Sequence, residues 1–399
     1  MIVAAVLSAW VQYAADGKPH ARALVTKSCP SLHVDGTTIA MKLRAGPDVA
    51  HGFAEAVCDA PVPRAAVHVI LEGRPLPAPP QHVNTIVVFG DTGCRMKGGE
   101  QQNCGDPENW PFPQIARRIA TVHADLAIHV GDYYYRENNC ATPIPGCVNY
   151  WGDTSASWNA DWFHPAAPIF TSVPLVLTRG NHEDCRRGGP GWYRFLEPSG
   201  AAACPDPVDA NDGTMPYAIS LDRLRLIMLD SASDVSDSAV DPVRAAYYQR
   251  AYGAVPALAR GGPASTWLVT HRPPYANADM ASVLHATPAD LGAISTVLAG
   301  HVHDFATVNL DGYPPLIVNG EGGDDLDDLD DTQEFIAGQH FALRDPAPFA
   351  AKQFGFAVYT RIGDGWTISL RDPEGIEREA CRLGPGPGAA AARDVVVCV

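Results

Sequence analysis

Seven side chains stand out by type and by place: Asp91, Asp132, Asn181, His182, His271, His301 and His303. They offer hard oxygen and imidazole donors and no thiolate, a set that suits Fe, Zn or Mn. A carboxylate can bridge two metals. Two cations a few ångströms apart can clamp both the attacking and the leaving oxygen of an in-line phosphoryl displacement. His301 and His303 form an HxH pair, whose imidazoles share one side only if the strand breaks into a turn, which Gly300 permits. A lone histidine is more often structural, and ten of the 14 histidines, His129 among them, carry no such pattern. It is the clustering of these donors at strand ends that points to metal.

Each cluster follows a short β-branched run. Thr85–Phe89 precedes Gly90-Asp91, Leu126–Val130 precedes Gly131-Asp132, and Leu175–Thr178 precedes Gly180-Asn181-His182-Glu183. Trp267–Thr270 precedes His271, and Ile294–Ala299 precedes Gly300-His301-Val302-His303. Amphipathic stretches at Gln114–His123 and Pro242–Tyr252 read as helices, with Pro111 and Pro113 suited to a helix start. Polar residues at the carboxyl ends of strands are where α/β folds build sites. Further β-prone runs at Tyr217–Ser220, Leu224–Leu229, Leu316–Asn319, Phe356–Thr360 and Trp366–Leu370 predict a two-sheet sandwich flanked by helices. Residues 1–80 alternate short runs with turns (Leu7–Tyr13, Ala23–Thr26, Thr38–Leu43, Ala65–Leu71) and predict a small antiparallel β-sandwich-like module. The proline-rich stretch Arg74–Pro80 is its expected linker to a catalytic domain over 81–399.

Composition narrows the class. The chain has 399 residues, 46% apolar and 19% charged, which excludes wholesale disorder. No apolar run is long enough to span a membrane as a helix. A formal charge of −16 argues against nucleic acid or anionic lipid as main partner, so an anionic substrate needs a local attraction such as a metal. Ten cysteines without a CxxC knuckle fit disulfides in an oxidising compartment. The simplest of about 945 connectivities joins neighbours: 29–58, 94–104, 140–147, 185–204 and 381–398. The opening Met1–Trp10 lacks a basic n-region, and Leu7–Tyr13 reads as a strand. An exported protein, periplasmic or extracellular, with its signal already removed and Met1 an expression start, is the expectation.

The motifs Asp91-Thr-Gly93, Gly131-Asp132-Tyr-Tyr-Tyr135, Gly180-Asn181-His182-Glu183, Leu268-Val-Thr-His271 and Gly300-His301-Val-His303 resemble the calcineurin-like metallophosphoesterase superfamily. They are similar in particular to its purple acid phosphatase branch, in the secreted bacterial form. The order DxG, GDxxY, GNHE, VxxH, GHxH is matched except for Leu268 in place of Val, over roughly residues 85–370. The superfamily at large has DxH first; Gly93 in the third place selects the purple branch, where a tyrosine, here Tyr135, replaces the missing histidine. The resemblance implies a four-layer α/β/β/α sandwich and a dinuclear centre. Fe(III) would be held by Asp91, Tyr135, His303 and the bridging Asp132. Fe(II), Zn or Mn would be held by Asp132, Asn181, His271 and His301. It further implies attack of a metal-bound hydroxide on small-molecule phosphomonoesters, with phosphodiesters or triesters as the alternative substrates. An inert metal-binding surface module is the remote alternative. His182 would contact a phosphate oxygen with Asn181, or protonate the leaving alkoxide.

Around these residues several assignments stay open. Glu183 either orients His182, or caps or pairs with Arg179. Arg186 and Arg187 could meet substrate oxygens, Arg186 foremost, or be solvated. Tyr133 and Tyr134 are expected to pack. Tyr150, Trp151, Trp158, Trp162 and Phe163 either fill the core or wall a pocket. The acidic run Asp324–Asp331 reads as a solvated loop, while the glycines of Gly320–Gly323 suggest a close backbone approach to the ligands. A Cys94–Cys104 link would brace the first metal loop.

Overall fold

The computed structural model describes residues 6–140, 150–205, 213–233, 240–275, 291–327, 348–385 and 394–398. Its frame is an 11-stranded and a 7-stranded mixed sheet. In the larger sheet Thr85–Phe89, Leu126–His129 and Leu175–Leu177 lie side by side and parallel. Hairpin strands Phe356–Ile362 and Gly365–Arg371 continue it on the outer side of Thr85–Phe89. In the smaller sheet Leu224–Met228, Ser265–Val269, Thr296–Ala299 and Leu316–Asn319 run parallel.

Period-two alternation explains how the two sheets pack. Ile86, Val88, Ile128 and Val176 point to one face and share a cluster with Leu226, Met228, Trp267, Val269 and Leu298 of the smaller sheet. Val87, Phe89, Ala127 and Leu175 point to the other face and pack on Phe112, Ile115, Trp162 and Phe170. Ile227, Leu268 and Val297 meet Tyr248, Tyr252 and Val255 of the helix Pro242–Ala259. That helix starts where Asp241 accepts the Val243 and Arg244 N–H groups, and it runs past the expected Tyr252 through Pro256. The first helix is Phe112–Ile119, entered through Pro111 and Pro113.

The expected boundary near residue 80 falls inside a continuous sheet. Val6–Tyr13 pairs parallel with Leu175–Leu177 (Gln12 opposite Leu175) and antiparallel with Pro19–Val25. Ala56–Pro61 and Lys42–Ala45 carry the same sheet to its edge. Ser31–Val34, Thr37–Ala40, Val69–Leu71 and Arg74–Leu76 form a separate four-stranded sheet. The expected linker is therefore in part an edge strand, a position that tolerates Pro75. Disulfides join Cys29–Cys58, Cys94–Cys104, Cys185–Cys204 and Cys381–Cys398. Cys140 is also disulfide-bonded, while its expected partner Cys147 lies outside the described residues.

Candidate metal centre

The carboxyl ends of the parallel strands from both sheets meet at one edge. Asp91 follows Thr85–Phe89, Asp132 follows Leu126–His129 and His301 follows Thr296–Ala299, and all three hold left-handed backbone with φ of 55°, 61° and 73°. Such conformations in non-glycine residues cost about 1–3 kcal/mol each and cluster at functional sites. His301 itself thus makes the turn that the HxH pair needs. Gly300 serves differently: a Cβ there would lie 2.6 Å from Asp91 Oδ2. Gly180 has the same constraint against Asp132 Oδ1, and Gly131 against His271 Nδ1. Gly320 packs on the Val302 carbonyl and Gly322 on that of Gly90, so the glycine turn does approach the ligand loops by backbone.

Tyr135 Oη is the point of convergence. It lies 3.0 Å from Asp132 Oδ2, 3.0 Å from His303 Nε2 and 3.2 Å from Asp91 Oδ1. Gly93 makes room for that ring, since a Cβ would come within 2.6 Å of Tyr135 Cδ2. On the other side of Asp132, His271 Nε2 lies 3.1 Å from Asp132 Oδ2 and 2.9 Å from Asn181 Oδ1. Asp132, His271 and His301 bring one donor atom each within 4.8 Å of one another. The seven residues named from the sequence as metal ligands therefore gather in two groups that share Asp132.

The imidazoles are aimed by their second nitrogens. His271 Nδ1–H donates to the Val130 carbonyl at 2.9 Å and His303 Nδ1–H to that of Asp325 at 2.9 Å, leaving both Nε2 atoms turned inward. His301 Nε2 lies 3.2 Å from Arg272 Nη1. The acidic run is not simply a solvated loop. Asp324 is fully buried and takes a two-point ion pair from Arg95 (3.0 and 2.6 Å), and Asp327 accepts the His303 N–H at 2.8 Å. Asp328–Asp331 lie outside the described residues.

Electrostatics show what this edge lacks. Burial pushes Asp91 up, and it would push Asp132 up too, but His271 and His182 hold Asp132 well below its ordinary value. Burial would lower His303, yet Asp324 and Asp91 lift it to about 10; His271 is likewise raised by Asp132 against its burial. Burial and the charges of Asp132 and Asp91 push the Tyr135 phenol well up. Crowded carboxylates that draw protons onto histidines form a donor set short of positive charge, and cations fit it.

Glu183 takes the capping role foreseen for it, closing the turn Asn181–Glu183 at Gly180, rather than orienting His182 or pairing its side chain with Arg179. Its buried carboxylate accepts the N–H groups of Tyr133 (2.8 Å), Gly180 (3.0 Å), Asp132 (3.1 Å) and Tyr134 (3.2 Å), locking two ligand loops together. Arg179 donates instead to the Glu183 carbonyl at 2.8 Å. His182 is held by Glu137, which the sequence did not single out, and by Arg187, which it named for substrate oxygens instead. Its Nδ1 lies 2.8 Å from Glu137 Oε1 and 2.7 Å from Arg187 Nη2, while Arg187 Nε donates to Glu137 at 2.8 Å. Arg187, not Arg186, reaches His182; Arg186 is half exposed and lies 3.9 Å from Asp184. Asp161, also unforeseen, accepts the Tyr135 N–H at 3.0 Å and pairs with Arg136.

Tyr133 and Tyr134 pack as expected, their hydroxyls donating to the Thr178 and Arg136 carbonyls. His129 stacks on Tyr133 and bonds Thr92, a structural histidine. Trp158, Trp162 and Phe163 belong to the core, whereas Tyr150 and Trp151 are exposed. The Cys94–Cys104 bridge sits beside the Asp91 loop.

A family model for calcineurin-like phosphoesterases matches residues 85–305. Among solved structures, the chain is similar to the purple acid phosphatase PPD1 from yellow lupin (Lupinus luteus) seeds: 13% identity, TM-score 0.52, covering 93% of this chain and 73% of that one. It is also similar to PhoD: 13% identity, TM-score 0.60, covering 98% and 91%. At such identities the likeness shows the fold alone. No curated protein matches the chain.

Proposed function

The chain belongs to the calcineurin-like phosphoesterase family, and from that premise we propose that it hydrolyses phosphomonoesters, as an acid phosphatase does, in an exported compartment. The convergence of Asp91, Asp132 and His303 on the Tyr135 hydroxyl carries this reading. The fold implies a dinuclear metal centre. Asp91, Tyr135, His303 and Asp132 would hold Fe(III), because phenolate and carboxylate suit a trivalent ion. Asp132, Asn181, His271 and His301 would hold Fe(II), Zn or Mn. Bound there, the cations supply Lewis-acid polarisation of the phosphoryl group and acidification of water.

The protein's own groups do the rest. Burial pulls His182 down to about 3, so the ring is neutral before substrate arrives. In the tautomer whose Nδ1 accepts from Arg187, which always donates, Nε2 carries the proton. That N–H lies on the Asp132 side, 4.0 Å from Oδ2. It is placed to donate to a phosphoryl or leaving oxygen, with Asn181 beside it. The four described disulfides support the exported compartment.

Turnover of p-nitrophenyl phosphate, with metal content measured on the same sample, tests the reading. Two bound metals with release of p-nitrophenol is the expected result. Two bound metals with no turnover of any phosphoester overturns it. Methyl-capped diesters cleaved as fast as monoesters would replace monoesterase by diesterase.

A further inference from the structure

A cavity of about 670 Å³ opens one side chain beyond His182. Arg187 forms the near end: the guanidinium that touches His182 Nδ1 at 2.7 Å also lines this cavity. The walls are mainly apolar and come from two distant parts of the chain. Phe53 stands on one side, and Pro190, Ala202, Ala203 and Pro205 on the other. Most polar groups at the wall have partners, within the wall or just behind it. Asp48 is bonded to His51 at 2.9 Å, Arg187 to Glu137, and Asp153 accepts from Trp158 Nε1 at 2.6 Å and Gly191 N at 2.9 Å.

Both walls are anchored. The Asp48–Phe53 turn closes on itself through backbone bonds, and its Gly52 carbonyl accepts the Ser155 N–H at 3.1 Å. The Ala202–Pro205 wall is tied by Cys185–Cys204 to the segment that follows His182. Arg194, buried between the walls, lies over the Phe53 ring at 5.0 Å and bonds the carbonyls of Gly46 and Glu55.

We propose that this cavity receives the organic part of the substrate, and that the protein prefers phosphoesters of bulky, largely apolar, ring-bearing alcohols to those of small ones. The cavity begins at Arg187, which holds the Nδ1 edge of His182, whereas the Nε2 edge is the one placed at the leaving oxygen; an alcohol long enough to pass the ring therefore reaches the cavity and a short one does not. Its mainly apolar walls favour a ring system over a sugar. Contacts there lie away from the reacting atoms and stabilise ground and transition states alike, so they act on KM. The Asp48–Phe53 turn gives the N-terminal strands a part in substrate choice. This inference rests on the phosphoesterase reading above.

The test compares 2-(2-naphthyl)ethyl phosphate with ethyl phosphate, whose leaving alcohols have similar intrinsic reactivity. The metal-loaded full chain is measured beside two variants that fill the cavity from exposed positions, Ala203→Phe and Pro205→Phe. The expected result is a loss of about tenfold or more in kcat/KM for the naphthyl ester, carried by KM, with ethyl phosphate within about twofold. Equal loss on both esters in the two variants, or no loss on either, overturns the cavity assignment while ethyl phosphate turnover upholds the phosphoesterase reading. Absence of turnover on both esters by the unmutated enzyme overturns the phosphoesterase reading itself.

Discussion

At the sheet edge, Asp91, Asp132 and His301 leave parallel strands through left-handed turns, and glycines at 131, 180 and 300 let neighbouring loops touch them. Past Arg187, the cavity is walled by a turn at Asp48–Phe53, the Pro190 and Arg194 region, and Ala202–Pro205. One region is fixed by sheet register and by a buried carboxylate gripping four backbone N–H groups. The other is held by a disulfide and a few bonds between loops. Loops vary more readily than the strands they join. The contrast assigns the reaction to the first region and the choice of leaving group to the second, so substitutions in each should leave different kinetic marks.

Four substitutions can break or sharpen that division. Asp132→Asn should cost about a hundredfold or more in kcat on every ester, because both ligand groups share this residue. Retention of more than about a tenth of the rate would argue against a shared centre. Gly180→Ala should cost about 10–100-fold, equally on small and bulky esters, since its Cβ collides with Asp132. A loss confined to bulky esters would show that the two regions are not separable. Tyr135→Phe should lower the rate by about tenfold or more and abolish the visible absorption of the iron-loaded protein. An unchanged band would remove Tyr135 from the ligand set.

The smallest effect belongs to the cavity wall. Burial raises Asp153 from 3.8 to about 6 in the folded state. Between those values the folded protein binds the extra proton, so this residue's contribution to stability falls as pH rises through about 6. Asp153→Asn should gain roughly 2–3 kcal/mol relative to the unmutated protein on going from pH 4 to pH 7, read by denaturant titration. Activity on ethyl phosphate should hardly change. A difference in stability that stays constant across that pH range would refute a buried, protonated Asp153.

The six ligand candidates other than Tyr135, together with His182, were legible because they directly follow β-branched runs, and strand ends are where such folds gather polar groups. Tyr135 needed the motif spacing and the missing histidine at Gly93. Glu137 and Asp161 left no such trace, and Arg187 was named only as a substrate contact, because their partners are chosen by packing. Arg95 and Asp324 are 229 residues apart, a distance no local pattern spans. The two sheets were foreseen from their apolar runs, but not the parallel pairing of Gln12 with Leu175, since register between remote strands follows from the closed sheet.

That pairing also bears on how the chain reaches its native state. The strand Val6–Tyr13 is made well before its parallel neighbour, more than 160 residues downstream, and Phe356–Ile362, which flanks Thr85–Phe89, is made later still. Contacts of such sequence separation carry a large loop-closure cost and slow folding. Until those later strands are made the central strands have open edges, ready to pair with other chains. Refolding yield should therefore fall steeply as protein concentration rises.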